Sequence, residues 1–321
     1  MPLRFVTIVT EDFWPGLAAL VQSIADNGEL PPDSYEFKIL CNVSKAPQAW
    51  LEARSERIEL VPLDTLPQIT LLSQQNQGSR MENAMQKLGV FALPPAWGTC
   101  IYIDCDIICL ASLRGLEEFT PLTAAADMPC FSQDLHKVDR FDPNFEFNTG
   151  LFVFQPNQRV FDELGDVYRR RHQERTHKGD QDIFNLWVLE KDVPVRLAGS
   201  EWNFGKRYQD FLGRRRTRDC LTRVKLLHFV GVKPWADNSR INTFRECRYS
   251  WLEKIWWDHF ERSGFAAHME KPPSRSTAFR RQWILPWTKP EILREHCVRA
   301  GRLLRKTLRI QRPEHSISGH T

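Results

Sequence analysis

Over its first hundred residues the chain alternates short apolar runs with stretches of helical periodicity, and that alternation leaves few folds open. Residues 5–10 predict a first strand. Pro15 can open a helix whose apolar positions Leu17, Leu20, Val21 and Ile24 recur at helical spacing before Asn27-Gly28 ends it. Residues 35–41 and 58–63 predict two more strands, and residues 80–93 a helix stopped by Pro94-Pro95. A strand over 100–103 then runs directly into Asp104-Cys105-Asp106. The pattern predicts an α/β fold with a mostly parallel central sheet, in which ligands bind beyond the carboxyl ends of the strands. Downstream, residues 150–154 and 224–229 predict strands. Between them lie a helix with Val160, Phe161, Leu164, Val167 and Tyr168 on one face and a second helix that opens at Gly179-Asp180-Gln181-Asp182.

At 321 residues, 42% hydrophobic and 26% charged, the chain can bury a large core; disorder, collagen and a small disulfide scaffold are excluded. The net charge of +4 is unevenly spread. Residues 271–312 hold 12 Lys and Arg against Glu291 and Glu295, which leaves the first 270 residues at −5. The eight cysteines contain no Cys-x-x-Cys pair and read as buried free thiols of a reducing compartment. No window approaches the roughly 18 apolar residues of a spanning helix, and the first strand begins too early for a signal peptide. A cytoplasmic location is expected.

Asp104 and Asp106 stand next but one at a strand end, so both carboxylates point the same way at the mouth of the sheet. Two adjacent anions repel unless a hard cation lies between them, although a bare Asp-x-Asp also occurs on ordinary surfaces. His228 and Lys233 follow another apolar strand. They suit a metal ligand and a phosphate contact, although taken singly such residues are more often a core histidine and a solvated lysine. Asp180 and Gln181 at a helix start could be capping groups. Neither glycine-rich phosphate fingerprint is present, which disfavours dinucleotide and P-loop chemistry.

Taken in order, six motifs resemble a known family. They are Phe5-Val6-Thr7 with Thr10 and Asp12, Lys87-Leu88 ahead of Ile103-Asp104-Cys105-Asp106, the run from Asn148 to Phe154, Gly179-Asp180-Gln181, Trp202-Asn203, and His228-Phe229 followed by Gly231, Lys233, Pro234 and Trp235. Over residues 3–260 the chain resembles glycosyltransferase family eight, which includes glycogenin-like enzymes and bacterial lipopolysaccharide hexosyltransferases.

The resemblance implies a GT-A fold in a catalytic domain over 1–268 and retaining transfer of a hexose from a UDP-sugar to a glycan or glycolipid, with Mn2+ or Mg2+. It implies that Asp104, Asp106 and His228 hold the metal, with Asp104 also contacting the ribose, and that Lys233 binds the β-phosphate. It places Ile8, Thr10 and Trp14 around the uridine, and Lys87, Asp127, Asn148 and Asp180 at the donor sugar. Gln181 falls nearest the anomeric carbon, and a carboxamide is too poor a nucleophile to form a covalent intermediate. The chain departs from the pattern at Glu11, at His177-Lys178, in an insertion over 130–147 and in a shorter His228–Lys233 spacing. It also has no tyrosine region like that with which glycogenin primes itself.

The remaining residues, 269–321, form a basic extension. On a helical wheel residues 291–310 divide into an apolar arc with Leu293, Leu304 and Leu308 and a basic arc with Arg299, Arg302 and Arg305. Trp283 and Trp287 precede it. Residues 280–310 are expected to meet an anionic membrane surface, giving a peripheral protein at the inner membrane face, or else to dock on the catalytic domain; no nucleic-acid partner is expected. Two other functions fit parts of the sequence. A haloacid-dehalogenase-type phosphohydrolase also carries Asp-x-Asp, but normally after the first strand. A non-catalytic membrane scaffold would not need Asp104, Asp106, Asp180 and His228 together.

Overall fold

The apolar runs become strands close to where their patterning puts them. The computed structural model describes residues 2–54, 56–63, 85–129, 131, 146–174, 179–236 and 247–273. Strands β1 (Leu3–Val9), β2 (Tyr35–Cys41), β3 (Arg57–Pro62), β4 (Cys100–Ile103), β6 (Thr123–Ala126), β7 (Phe147–Phe154) and β8 (Arg196–Ala198) form one seven-stranded sheet in the order β3-β2-β1-β4-β7-β6-β8. Only β7 runs antiparallel to its neighbours, so the sheet is mainly parallel. A second sheet of three strands, in the order β5-β10-β9, joins β5 (Ile107–Cys109), β9 (Phe204–Gly205) and β10 (Leu226–His228).

Among the described residues the α-helices are α1 (Trp14–Asn27), α2 (Gln48–Glu52), α3 (Gln158–Glu174), α4 (Asp180–Glu190), α5 (Gln209–Leu221) and α6 (Ser250–Arg262). Pro15 sits in the first turn of α1, where its missing N–H costs nothing, and Gly28 closes the helix by donating its N–H to the Ile24 carbonyl. Of the helix expected over 80–93, residues 80–84 lie outside the described residues, and Lys87–Ala92 is a 3-10 helix. Lys87, Leu88, Gly89, Val90 and Phe91 are all buried there, so this turn is enclosed on every side.

One face of the large sheet carries the aromatic core. Phe91, Tyr102, Phe152, Phe154 and Phe184 lie ring to ring at 5.0–6.3 Å, under Leu164, Val167 and Tyr168 of α3 and Ile183 and Trp187 of α4. Cys41, Cys100, Cys105 and Cys109 are buried free thiols. Burial pushes Cys41 up to about 11 and Cys100 and Cys109 to about 12, so these thiols are packing groups.

By its internal contacts the chain divides into one unit of residues 1–233 with 255–272 and another of 234–254 with 273–321. Most of the expected extension, including 280–310, lies outside the described residues. Among the described residues no helix is long and apolar enough to cross a membrane.

His259 of α6 is buried beside α1. Its Nδ1 lies 2.6 Å from an Arg262 nitrogen and 3.1 Å from Asp26 Oδ2. Burial first, and then the Arg262 guanidinium, lower its pKa against the pull of Asp26. A histidine lowered on folding is neutral in the native state, so the unfolded chain takes up the proton first as pH falls. The stability this gives is complete above the unfolded value of roughly 6.5 and is lost below it. Urea unfolding should therefore show a larger loss between pH 7.5 and 5.5 in the wild type than in His259→Gln. Equal losses would remove His259 as the cause.

Candidate active site

The site forms where the two sheets meet. β4 ends at Ile103, β5 starts at Ile107, and Asp104-Cys105-Asp106 is the bridge between them. The register of the small sheet sets His228 of β10 opposite Ile107, and Phe229 N–H donates to the Asp106 carbonyl at 2.9 Å. The register of the large sheet sets Ile103 opposite Leu151, and Asp104 N–H donates to the Gly150 carbonyl at 2.8 Å. Antiparallel β7 thus brings its N-terminal end, Asn148 and Thr149, to the carboxyl ends of β1 and β4. β6 delivers Asp127 to the same rim, since Ala126 pairs with Phe147.

A cavity of about 370 Å³ opens there. Asp104, Asp106 and His228 line it, and one ligand atom from each lies within 4.8 Å of the others. His228 Nε2 is 3.3 Å from Asp106 Oδ1 and 3.7 Å from Asp104 Oδ2. Two carboxylates and one imidazole form a mixed oxygen and nitrogen donor set that suits a divalent ion, so the residues present fit a metal.

Two lysines offset this acidity. The ammonium of Lys233 donates to Asp106, and also to the Phe229 carbonyl at 3.4 Å. Burial alone would raise the Asp106 pKa; Lys233 and then His228 outweigh it and hold the carboxyl well below the usual range. Lys87, on the 3-10 helix, is 3.0 Å from Asp104 Oδ1 and 3.0 Å from Asp180 Oδ2, and donates to the Thr149 carbonyl at 3.2 Å. Burial would lower its pKa, but Asp104 and Asp180 raise it above the ordinary lysine value, so Lys87 is a fixed cation.

Asp180 and Gln181 begin α4, yet neither side chain caps it. Asp180 accepts from Thr149 Oγ1 at 2.6 Å. Gln181 donates to Asp127 Oδ2 at 2.8 Å and accepts from Asn148 Nδ2 at 3.0 Å. Asn148 also donates to Asp127 Oδ1 at 3.4 Å. Ile8 and Thr10, at the end of β1, line the same cavity. Trp14 does not. It is the first residue of α1, it is 5% exposed with its indole turned into the core, and Phe13 lines the cavity instead. Asp127 is not among the cavity's lining residues; it accepts from Gln181 and Asn148, which are.

Sequence reasoning missed Tyr102 and Thr149, which also line the cavity. The Tyr102 hydroxyl donates to Asp104 Oδ1 at 3.1 Å, and its ring lies 5.0 Å from the Lys87 ammonium. The only signal for Tyr102 was its place two residues before Asp104 on an alternating strand. His177 and Lys178 lie outside the described residues, as does most of the 130–147 insertion.

Residues 5–239 match the sequence profile of glycosyl transferase family 8. The chain belongs to that family. Among curated relatives, a glycogenin of Komagataella phaffii is 25% identical over 60% of this glycosyltransferase and 47% of its own length. Glycogenin-1 of Oryctolagus cuniculus is 24% identical over 52% and 49%, and galactinol synthase 2 of Solanum lycopersicum 25% identical over 37% and 33%. The matches thus span about half or less of those relatives. Among solved structures, the galactosyltransferase LgtC in complex with donor and acceptor sugar analogs has a TM-score of 0.58 at 14% identity, covering 83% of this chain and 100% of that one. The bifunctional glycosyltransferase WbbM has a TM-score of 0.56 at 17% identity, covering 88% and 52%. The likeness establishes the GT-A fold of this glycosyltransferase.

Proposed function

We propose that this glycosyltransferase moves a hexose from a UDP-sugar to a glycan or glycolipid acceptor, with retention of anomeric configuration and with Mn2+ or Mg2+. The observation that carries this reading is the convergence of the Asp104–Asp106–His228 donor set and the Asp180–Gln181–Asn148 network on one cavity. When bound at those three residues, a divalent ion neutralises charge on a diphosphate and stabilises its departure as a Lewis acid.

The chain's own groups divide the remaining tasks. Ile8, Thr10 and Phe13 form the wall for the nucleoside, with the Phe13 ring in the role expected of Trp14. Lys233 supplies positive charge where the β-phosphate develops negative charge. Lys87, Asn148 and Asp180 orient the sugar through its hydroxyls; Asp127, expected to share that task, instead accepts from Asn148 and Gln181 and holds them in place before the donor arrives. Gln181 is held by Asp127 and Asn148 and cannot act as a nucleophile. Transfer therefore proceeds on one face of the sugar. The bond from the anomeric carbon to the β-phosphate oxygen breaks as the acceptor oxygen bonds to that carbon, and the acceptor's proton passes to the departing phosphate oxygen. The test is UDP release from a panel of UDP-sugars with Mn2+, comparing wild type with Asp106→Asn.

The same reading places the enzyme at a cytoplasmic membrane face through residues 280–310. Each basic residue near an anionic surface contributes about 1 kcal/mol, so the basic arc of 291–310 suffices for peripheral attachment. Full-length protein with Arg299, Arg302, Arg305 and Lys306 changed to Gln should fail to sediment with phosphatidylserine vesicles that retain the wild type. Equal sedimentation would remove the membrane from the proposal.

A further inference from the structure

We propose that Asn203 is a positioning residue that keeps the proton of His228 on Nδ1 and so presents an Nε2 lone pair to the Asp104–Asp106 site, a role that rests on the metal reading above. In the Trp202-Asn203 motif Trp202 packs edge-on against Phe119 and beneath the Lys225 ammonium, but the transfer mechanism supplies no task for Asn203. Asn203 is 1% exposed, directly before β9, the strand that pairs with β10 and its His228.

The proton's position follows from a chain of hydrogen bonds that starts at a group unable to change role. Gly150 N–H can only donate, and it points at one side-chain atom of Asn148 at 2.9 Å, so that atom is the carbonyl oxygen. The other end of the Asn148 amide is then the nitrogen. It faces the Asp127 carboxylate, an obligatory acceptor, so the orientation is fixed from both sides. The Asn148 oxygen also lies 2.8 Å from Asn203, and the Asn203 atom there must be the donor Nδ2. The Asn203 oxygen is left facing His228 Nδ1 at 2.9 Å. An amide oxygen accepts only, so Nδ1 carries the hydrogen. With an ion at the site the ring would bind as its neutral form, and with Nδ1 already holding the hydrogen its lone pair is on Nε2, the atom 3.3 Å from Asp106 and 3.7 Å from Asp104. Ligand histidines are commonly oriented by a partner on the second nitrogen, and losing that partner weakens metal binding by about 10–100-fold. Here the partner belongs to a relay from Asp127 and Gln181 through Asn148 and Asn203 to His228, which ties the donor-sugar side of the cavity to the metal side.

Two substitutions separate orientation from packing. Asn203→Leu keeps the volume and removes the acceptor. Asn203→Asp keeps an acceptor for Nδ1–H and removes the donor to Asn148. Mn2+ affinity, read from the free-ion paramagnetic resonance signal, should fall about 10–100-fold in Asn203→Leu and stay near wild type or tighten in Asn203→Asp. Wild-type affinity in Asn203→Leu, or an equal loss in both variants, overturns the proposal. The second readout is the 15N spectrum of His228 in the unsubstituted, metal-free protein at pH 8, where the proton is expected on Nδ1; an Nδ1 without one overturns the proposal even where Asn203→Leu does not fold. A wild type that binds no Mn2+ but shows the Nδ1 proton would sink the metal reading and leave the orientation of His228 standing.

Discussion

Asp106→Asn should reduce Mn2+-dependent UDP release by about 10³-fold, the upper range for deleting one preorganised electrostatic group at a reacting centre. Asp106 is 2% exposed, and its carboxylate sits between the Lys233 ammonium and His228 Nε2. An asparagine there has the same shape but no charge, so one of the two anionic donors at the site is lost while the backbone contact of Asp106 with Phe229 is kept. Mn2+ affinity should fall in parallel. Stability should fall less than the removal of a buried ion-pair partner usually costs, under about 3 kcal/mol, because the Lys233 side chain is 21% exposed and can turn to water. A folded variant with undiminished, metal-insensitive UDP release would remove Asp104, Asp106 and His228 from the mechanism. Loss of release together with loss of the native fold would assign Asp106 to structure.

The test is sharp because the same atoms serve both states of the site. In the structure, Lys233 and Lys87 neutralise the carboxylates that the proposed mechanism gives to a cation and a donor. Under the proposed mechanism, donor binding would exchange the Lys233–Asp106 pair for a lysine–phosphate contact while Asp106 would help to hold the ion, so the local charge would stay near balance.

What the sequence made legible follows from the range over which its signals act. A fully buried strand is written as an apolar run, and β4 begins and ends where its run does, while β2 alternates over Tyr35–Lys38 before its apolar end. Asp104 and Asp106 were legible for the same reason, since a strand end fixes its own position at the mouth of the sheet. β7 was recognised over its last five residues only. Its first three, Phe147, Asn148 and Thr149, include two polar groups, and their burial depends on Asp127, Asp180 and Gln181, far away in the chain. Trp14 and Phe13 show the limit most clearly. At a helix start, successive side chains diverge by about 100°, so one residue decides between core and cavity, and composition does not separate two aromatics. Asn203 lay beyond sequence reasoning for another reason. Its role is the direction of an amide, which only the surrounding donors and acceptors define.

Gly150→Ala should disable the site without replacing any polar group. A Cβ at Gly150 would lie 2.4 Å from His228 Cε1, 2.6 Å from His228 Nδ1 and 2.9 Å from Asn148 Oδ1, all inside van der Waals contact. The backbone of Gly150 is extended within β7, so alanine suits its conformation and the obstacle is steric alone. Neither neighbour can step aside cheaply. His228 is bonded to Asn203 and backed by β10, while Asn148 is tied to Asn203, to Gln181 and to the Gly150 N–H itself. Overpacking of this kind costs roughly 1–3 kcal/mol, which urea unfolding would read. The larger effect should be on turnover: a shift of about 1 Å in a positioned group can cost about 10²-fold, and here a metal ligand and a donor-sugar residue would move together. Gly179→Ala is the matching control, because among the described residues a Cβ there meets nothing within 4 Å, and it should keep both stability and UDP release. Wild-type turnover in Gly150→Ala would mean that His228 can leave its observed position without consequence, and the proposed donor set would lose its third member.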